Sequence, residues 1–334
     1  MATTTKMSPL NRNSYSVAIL CPLEVERSAI RGMMDEEHEQ LPSVTGDFKI
    51  YTLGQLSGHN VVVASLPVGH QGKVSAAHVA NRISESFPSI SLRLLVGTAG
   101  GIPSTRNNIR LGDVVISIPS GDKSGVVEYD LGKSTITGFQ RKGYLYPPPT
   151  EWLTVLPQMQ SDHRLHGSNV TQFISEMLDR YPQMSEYSRP PDSTDLLFNS
   201  NYHHESREIT CKDCGKYQTV ERPTREESNV PQLHYGLIAS GDQVIKNASE
   251  REKISESLDD ALCFEMEAAG LMNEFRCIVI RGISNYADSH KNDLWQRYAA
   301  AAAAGVAKEL LGYKNPAIGT QKFIESAFEW ELLV

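Results

Sequence analysis

A chain of 334 residues, of which 40% are hydrophobic and 22% are charged, has the composition of an ordinary globular protein with ample length for a core. Its formal net charge of −8 argues against a general nucleic-acid-binding surface, although it is compatible with a small basic pocket. No stretch approaches about 18 consecutive apolar residues, so we expect no membrane span.

The chain ends and the cysteines indicate domain organisation and compartment. Residues 1–14 are polar and lack the apolar core of a signal peptide, so we expect a flexible tail. The five cysteines, an odd number, suit a reducing compartment better than a disulfide framework, and we expect a cytoplasmic protein. No long linker divides the remainder, which predicts one α/β domain over 15–312 and an extension or linker over 313–334.

In the first part of the chain, short apolar runs alternate with segments of helical periodicity, the pattern of an α/β fold. A strand over 15–21 is followed by a helix over 24–34, and a buried central strand over 92–96 runs into the glycine-rich turn 97–101. The other elements predicted here are strands at 48–53, 60–66, 113–118 and 125–129, and a helix at 74–86 that is opened by the loop 68–73.

The character of the sequence changes between about 144 and 231. Proline pairs and polar runs predict an irregular insertion there, with one helix near 170–181. Regular elements then return, namely a strand at 233–239, a helix at 265–273, a strand at 277–283 and an alanine-rich helix at 293–311.

The segment from 264 to 288 carries the densest chemistry. Glu265 and Glu267 lie two apart, so on a helix they would point in different directions and could not share one task. The loop after the following strand places Asn285 and Asp288 at that strand's carboxyl end, where open α/β sheets bind their ligands. This segment therefore predicts part of a binding or catalytic site.

Two further segments each allow two interpretations. Thr98, Ala99 and Gly100 follow a buried strand and could hold an anion or a polarised water through backbone amides, or could form a plain turn. They match neither G-x-G-x-x-G nor a P-loop. Glu24 and Glu26 could supply a general base, or could simply complement the dipole of the first helical turn.

The insertion contains one possible metal-binding pattern. His203 and His204 are followed by Cys211 and Cys214 in a Cys-x-x-Cys spacing. A zinc site would need four ligands, but the spacing is irregular and no second Cys-x-x-Cys exists. We predict a surface excursion with incidental thiols, no bound metal and no cofactor.

Five motifs in order resemble the purine nucleoside phosphorylase/uridine phosphorylase superfamily. They are Pro22-Leu-Glu-Val-Glu26, Gly97-Thr-Ala-Gly-Gly101, Ser240-Gly-Asp-Gln-Val-Ile245, Phe264-Glu-Met-Glu-Ala-Ala269 and Arg281-Gly-Ile-Ser-Asn-Tyr-Ala-Asp288. Within that superfamily the chain is similar to the nucleosidase branch that includes methylthioadenosine/S-adenosylhomocysteine nucleosidase. It is closer still to the amino-terminal phosphorylase-like domains of fungal NOD-like immune proteins.

The resemblance implies a fold, a reaction and partners. The fold would be a single three-layer α/β/α domain with a central twisted mixed sheet. The reaction would be cleavage of the N-glycosidic bond of adenine nucleotides, ATP included. The partners would be a small purine nucleotide or nucleoside and further copies of the chain in a homo-oligomer, with further domains C-terminal to this one and neither nucleic acid nor membrane.

Roles follow from the resemblance position by position. Glu26 would activate the attacking water, while Met266 and Glu267 would bind the ribose. Val244 occupies a base-stacking position that is usually aromatic, and the backbone of Ile245 would read the purine edge. In this scheme Thr98, Ala99 and Gly100 border the water or anion.

The nucleophile and the 5′ substituent are the remaining questions. Superfamily phosphorylases place an arginine just before the Gly-Thr turn, where this chain has Leu95, and a carboxylate at Glu26 would repel phosphate, so water is the better candidate. The loop 68–73 would border the 5′ end, and its polar residues favour a nucleotide. The candidate phosphate-binding residues are His70, Gln71, Lys73, His290 and Lys291.

Asn285 departs from the nucleosidase pattern, which has an aspartic acid that protonates or hydrogen-bonds purine N7. An asparagine cannot deliver a proton, so we expect a slow enzyme or a binder. The residue could be an engineered change, could reflect a natural preference for 6-oxopurines, or could mark a nucleotide-sensing pseudoenzyme; the intact surrounding motif favours the first.

The alternatives to an ATP-cleaving hydrolase are a phosphorylase or nucleosidase of unphosphorylated nucleosides and a non-catalytic nucleotide-binding module.

Overall fold

The computed structural model describes residues 10–42, 51–204, 211–225, 229–258 and 261–315. Its strands are β1 (Val17–Leu20), β2 (Glu36–Glu37), β3 (Thr52–Leu56), β4 (His59–Ala64), β5 (Leu92–Gly101), β6 (Val114–Ser117), β7 (Val126–Glu128), β8 (Gly132–Thr135), β9 (Gly138–Arg141), β10 (Leu233–Gly236), β11 (Ile238–Ser240), β12 (Cys263–Glu265) and β13 (Ile278–Asn285). Its helices are α1 (Glu24–Met33), α2 (Lys73–Ser86), α3 (Thr150–Leu153), α4 (Leu156–His166), α5 (Val170–Arg180), α6 (Ala248–Leu258) and α7 (Gln296–Gly312).

A mixed sheet forms the centre of the domain. Its main path runs β10-β6-β13-β5-β1-β4-β3-β2, and the inner strands β13, β5, β1 and β4 are parallel to one another. The far end of β5 also pairs antiparallel with β12, which continues through β11 to β7. The end of β5 is therefore held between β12 and β13, and these two strands bring their side chains to one place.

The alanine-rich helix α7 packs directly on the sheet. A Cβ atom on Gly282 of β13 would lie 1.9 Å from the carbonyl oxygen of Ala299, so the helix backbone nearly touches the strand. The run of α7 from Ala299 to Ala304 is fully buried because only small side chains fit at that separation. Helices α1 and α5 pack against α7 in turn.

Most predicted strands and helices are present, but two parts of the expected site differ. The glycine-rich segment 97–101 is a continuation of strand β5, not a turn, because it pairs with both neighbouring strands. The expected helix over 265–273 is instead the end of β12 followed by a short 3-10 turn, Ala268–Gly270. Glu265 is therefore a strand residue, and the spacing argument based on a helix does not apply.

Other differences concern the predicted boundaries. Residues 48–50 of the expected strand 48–53 lie outside the described residues, and α6 was not predicted. In its described residues, the expected irregular insertion holds three α-helices, α3, α4 and α5, where one was predicted. Within the described part of the chain, the helices lack the combination of length and apolar character that a membrane crossing requires.

The insertion is fastened to the sheet by a buried ion pair at Asp113, beside the start of β6. Arg225, near the end of the insertion, donates from both terminal nitrogens to the two oxygens of Asp113, at 2.7 Å each. His234 Nε2 lies 2.9 Å from the same carboxylate. Burial alone would raise the pKa of Asp113, but the hydrogen bonds and charges of His234 and Arg225 outweigh burial and lower it.

Candidate active site

A cleft opens where the parallel strands of the central sheet end. Because β1, β5 and β13 are parallel, their carboxyl ends meet at one edge of the sheet. Four segments at these strand ends supply much of the cleft lining: Pro22, Leu23 and Glu26 after β1; Thr98, Ala99 and Gly100 in β5; Phe264, Glu265, Met266 and Glu267 in and after β12; and Arg281, Ser284 and Asn285 in β13. Residues of the loop before α2, of the segment after β11 and of the segment after β13 complete it.

Glu26 is buried at the first turn of α1 and is held in a fixed orientation. Its Oε1 accepts hydrogen bonds from the amide and the hydroxyl of Thr98, at 2.7 and 3.1 Å. Its Oε2 accepts one from the Leu23 amide at 2.8 Å. Burial raises the pKa of Glu26, against the opposing charge of Arg281 and these hydrogen bonds.

The carboxylates of the cleft gather around Arg281, a fully buried side chain in the apolar strand β13. Its Nη2 donates to Glu265 Oε2 and, at 3.1 Å, to Glu267 Oε2. Gly97 allows Arg281 and Glu26 to approach one another, since a Cβ there would lie 2.4 Å from Arg281 Nη1 and 2.6 Å from Glu26 Oε1. Burial would lower the pKa of Arg281, but the charges of the carboxylates outweigh burial and raise it.

Glu265 and Glu267 have different surroundings. Glu265 accepts hydrogen bonds from the amides of Glu267 and Ala268 as well as from Arg281, so its oxygens are occupied by the protein. Glu267 accepts from the Gly72 amide at 3.2 Å and shares Arg281. Burial raises the pKa of Glu267 to about 7, because Arg281 only partly offsets burial and the neighbouring carboxylates. Glu267 is therefore poised between its two protonation states near neutral pH.

Asn285 ends β13 with its amide fixed on both sides. Its Oδ1 accepts from the Ala287 amide at 3.0 Å, and its Nδ2 donates to Ser284 Oγ at 3.0 Å. The Ser284 hydroxyl in turn donates to the carbonyl oxygen of Ala99 at 3.3 Å. A side chain at Gly100 would crowd Asn285 Oδ1 at 3.0 Å, so the glycine keeps this corner open.

One wall of the cleft is mainly apolar. Ile245 and Phe264 are buried, and Val244 is 48% exposed. Phe264 is held edge-on by Tyr129 at a ring separation of 5.4 Å. Met266, the chain neighbour of Glu267, also lines the cleft. The wall can receive a flat, largely apolar ring system such as a nucleobase.

The five candidate phosphate-binding residues separate in the structure. The Lys73 ammonium pairs with Glu128, Asp130 and Asp242 at 2.6, 2.9 and 3.2 Å, so three carboxylates already neutralise it. His290 lies outside the cleft, and burial lowers its pKa to about 4, which leaves it uncharged at neutral pH.

The remaining three candidates lie near the cleft mouth. His70 and Gln71 are exposed, and Gln71 lines the cleft. Lys291 also lines the cleft and is half-buried, and burial followed by the charge of Lys246 lowers the pKa of Lys291. Gln71 and Lys291 thus stay candidates for contact with a 5′ substituent.

Arg281, Ser284 and Phe264 contribute to the site although sequence reasoning assigned a role to none of them. Arg281 carried a signal that could have been used. A charged residue in the middle of an apolar strand must find partners when the strand is buried, and the nearby acidic pair is an obvious source. Ser284 and Phe264 carried no comparable signal.

The fold and the cleft define a nucleoside phosphorylase-like α/β domain with carboxylates at the end of its parallel strands. The model of the phosphorylase superfamily matches residues 16–312, and the chain belongs to this superfamily. The family expected from the five motifs and the α/β fold class expected with it are both confirmed.

Relatives and solved structures agree with this assignment. The chain is 40% identical over 303 residues to a nucleotide-binding leucine-rich repeat (NLR)-like protein of Hyaloscypha variabilis, covering 90% of this chain and 30% of that protein. It is 31% identical over 283 residues to a death domain-containing ATP nucleosidase of Amphimedon queenslandica, covering 81% of this chain and 43% of that protein. The chain thus spans less than half the length of both relatives.

Among solved structures, the fold is similar to 5′-methylthioadenosine/S-adenosylhomocysteine nucleosidase of Neisseria meningitidis in complex with methylthio-immucillin-A. The TM-score is 0.56 at 18% sequence identity, and the likeness covers 90% of this chain and 99% of that one. At this identity the likeness concerns the fold alone.

Proposed function

We propose that this domain hydrolyses the N-glycosidic bond of adenine nucleotides, with ATP as the favoured substrate. The observation that carries the proposal is the orientation of Glu26. A carboxylate has about four acceptor positions, and the protein occupies two on Oε1 and one on Oε2. The remaining position on Oε2 is available to a water molecule, and burial makes the carboxylate a stronger base.

The other cleft residues suit the remaining parts of the reaction. Cleavage of an N-glycosidic bond passes through a ribosyl cation-like state, which nearby negative charge stabilises. Glu267 retains acceptor capacity beyond Gly72 and Arg281, so its carboxylate can bind ribose hydroxyls and face the developing cation. The apolar wall at Phe264 and Ile245 would receive the base, with Asn285 at the purine edge.

Water is a better nucleophile than phosphate in this cleft. Among the described residues that line it, the cationic side chains are Arg281 and Lys291. Glu265 and Glu267 already neutralise Arg281, and Glu26 adds a further negative charge. An inorganic phosphate ion would be repelled at the position of the nucleophile. The rate of base release should therefore be independent of added phosphate.

The preference for ATP rests on the cleft mouth and on relatives. Lys291 with Lys246 nearby supplies positive charge beside the polar Gln71, although Asp293 opposes part of it. The relative from Amphimedon queenslandica is named an ATP nucleosidase. Since Lys73 is neutralised within the protein, we assign the 5′ phosphates to Lys291 and Gln71.

Asn285 should limit the rate of the reaction. Its amide can donate a hydrogen bond to purine N7 but cannot transfer a proton. An aspartic acid at this position could keep one carboxyl oxygen as the acceptor of the Ala287 amide, while its other oxygen carries the proton toward purine N7. We therefore expect Asn285→Asp to raise the rate of base release at least about tenfold, the low side of the effect of a general acid.

A second candidate function is a non-catalytic nucleotide-binding module. Asn285 favours it because an asparagine can bind the purine but cannot transfer a proton to it. One experiment separates the candidates. The protein and its Asn285→Asp variant are incubated with ATP, adenosine, inosine and methylthioadenosine, with and without inorganic phosphate, and free base is quantified by chromatography. The matched control is Asn81→Asp, an exposed position on α2.

Each outcome has a defined meaning. Release of adenine from ATP, faster in Asn285→Asp and unchanged by phosphate, is the expected result. Nucleotide binding without base release from either protein would establish the binding module instead. Methylthioadenosine cleaved far faster than ATP would overturn the nucleotide preference, and a phosphate-dependent rate would indicate a phosphorylase.

A further inference from the structure

Three potential metal ligands meet in the insertion, outside the cleft. His204, Cys211 and Cys214 each offer one ligand atom, and these atoms all lie within 4.8 Å of one another. The two cysteines are free thiols and, like the histidine, are partly buried. The short 3-10 helix Cys211–Asp213 brings the two thiols together, since the Cys214 amide donates to the Cys211 carbonyl at 3.2 Å.

The histidine is placed independently of the cysteines. The backbone amide of His204 donates to the Ser289 hydroxyl at 3.0 Å, which fixes this residue beside the loop that follows β13. The two parts of the cluster are thus brought together by tertiary contacts. The irregular sequence spacing that argued against a metal site is therefore no obstacle in three dimensions.

We propose that His204, Cys211 and Cys214 bind a zinc ion, with the fourth position open to solvent. Two thiolates and one imidazole form a donor set that binds Zn²⁺ in preference to magnesium or calcium, which favour oxygen ligands. In a tetrahedral site with usual bond lengths the ligand atoms lie about 3.5–3.8 Å apart. The present separations are all within 4.8 Å, so they exceed that spacing by about 1.3 Å at most. This proposal departs from the expectation of incidental thiols.

The position of this zinc site gives it a structural task. Cys211 Sγ lies 3.8 Å from the His290 carbonyl oxygen. The His290 ring stacks on the ring of Phe198, a residue of the insertion, with 3.9 Å between the ring centroids. His290 belongs to the loop that follows Asn285. A zinc ion held here would therefore order the part of the insertion that contacts the loop after Asn285, and so stabilise that contact.

Metal content tests the proposal directly on the full chain. The protein is purified from reducing buffer with any affinity tag removed, dialysed against metal-free buffer, and assayed for zinc by mass spectrometry. We expect about one zinc per chain in the wild type and less than about a tenth of that in Cys211→Ser, Cys214→Ser and His204→Ala. The matched control, His203→Ala, changes the exposed neighbour and should keep the metal.

Two measurements on the unmutated protein cover the case in which a variant fails to fold. A chelator should lower the melting temperature and make two further thiols reactive toward a thiol reagent, and added zinc should reverse both effects. Cobalt substitution should give the charge-transfer absorption of thiolate ligands. Unchanged melting temperature and thiol reactivity with chelator, absence of zinc after zinc addition, or loss of zinc from His203→Ala would overturn the proposed site. None of these results bears on the reaction proposed for the cleft.

Discussion

Two buried groups of charged residues in this protein have opposite electrostatic balance. The cleft cluster (Glu26, Glu265, Glu267 and Arg281) places three carboxylates around one guanidinium, and the pKa values of Glu26 and Glu267 are raised by burial. The anchor cluster (Asp113, Arg225 and His234) surrounds one carboxylate with two basic side chains, and the pKa of Asp113 is lowered. Burial acts to raise the carboxyl pKa in both clusters, so the hydrogen bonds and charges of the partners decide the sign of the shift.

The difference corresponds to different tasks. A carboxylate with sufficient partners is stable as an anion and serves to join two parts of the fold. Buried carboxylates that share one cation are less stable as anions, so they are stronger bases, and the pKa of Glu267 is raised to about 7. The cleft cluster thus has the property that a catalytic site needs, and the anchor cluster lacks it.

The largest expected effect comes from removing the base in the cleft cluster. In the Asn285→Asp background, where we expect a measurable rate, Glu26→Gln should lower base release by about 10²–10⁴-fold because the amide cannot accept a proton from water. Chromatographic detection of adenine measures the rate. Glu24→Gln is the matched control, since Glu24 lies in the same helical turn but contacts Ser28 at the surface.

The pH profile of the same enzyme provides an independent check. Glu26 acts as a base only when ionised, so activity should fall as the pH drops through its pKa. Because burial raises that pKa, the acid limb should lie above the ordinary carboxyl range. An acid limb at the ordinary glutamate value, or full activity in Glu26→Gln, would contradict the assignment.

The anchor cluster should dominate stability. Asp113→Asn leaves Arg225 buried without its counter-charge, and we expect it to lower the free energy of unfolding by about 3–5 kcal/mol. Urea denaturation measures the change. The control Glu85→Gln breaks an exposed ion pair with Arg82 and should cost about 0.2–1 kcal/mol.

The sign of the pH dependence identifies the cause of the Asp113 effect. Since the folded-state pKa of Asp113 is lowered, its stabilisation is present above the ordinary aspartate range and lost as the pH falls through the lowered value. The deficit of Asp113→Asn should therefore shrink in acid. A deficit that is independent of pH would show that packing, not charge, is responsible.

Glu267→Gln should show the opposite pH dependence. The pKa of Glu267 is raised, so the folded protein binds more protons than the unfolded chain above the ordinary glutamate pKa, and stability is lost as the pH rises through about 7. The melting temperature of Glu267→Gln relative to wild type should therefore increase from about pH 5 to about pH 8. Calorimetry measures it, and a constant or decreasing difference would contradict the raised pKa.

The smallest effect is expected at the edge of the cleft. Lys291→Ala should raise KM for ATP about fivefold, the equivalent of about 1 kcal/mol for one partly screened phosphate contact, and leave KM for adenosine unchanged. The control is Lys253→Ala, an exposed lysine on α6 outside the cleft. Equal changes for ATP and adenosine would remove Lys291 from phosphate recognition.

Much of the fold could be predicted because the signals were local. The helix after β1 and the buried strand β5 were evident from apolar periodicity, and both form as expected. The segment 265–273 has good helix-forming residues, but β12 pairs with β5 and β11, and this pairing overrides local propensity. The glycines of the segment 97–101 resembled a turn in the local sequence. The segment is a strand because it pairs with β12 and β13, which are distant in sequence.

The sequence predicted which types of residue form the site better than it predicted which residues contact one another. Glu26, Glu267 and Asn285 come together in one cleft although they are far apart in the chain. Nothing in the sequence indicated that Glu128, Asp130 and Asp242 would neutralise Lys73, because these partners come from other elements. The same limit applied to His204 and the two cysteines of the insertion.

The sequence by itself determined the superfamily, the order of most strands and helices, and the kinds of side chain available for chemistry, because these depend on residue identity and short-range pattern. The tertiary structure alone decided which charges meet. It placed three carboxylates around Arg281 and two basic side chains around Asp113, and the resulting balance of charge sets the pKa values. Electrostatic energies depend on separation and burial, and both are properties of the folded chain.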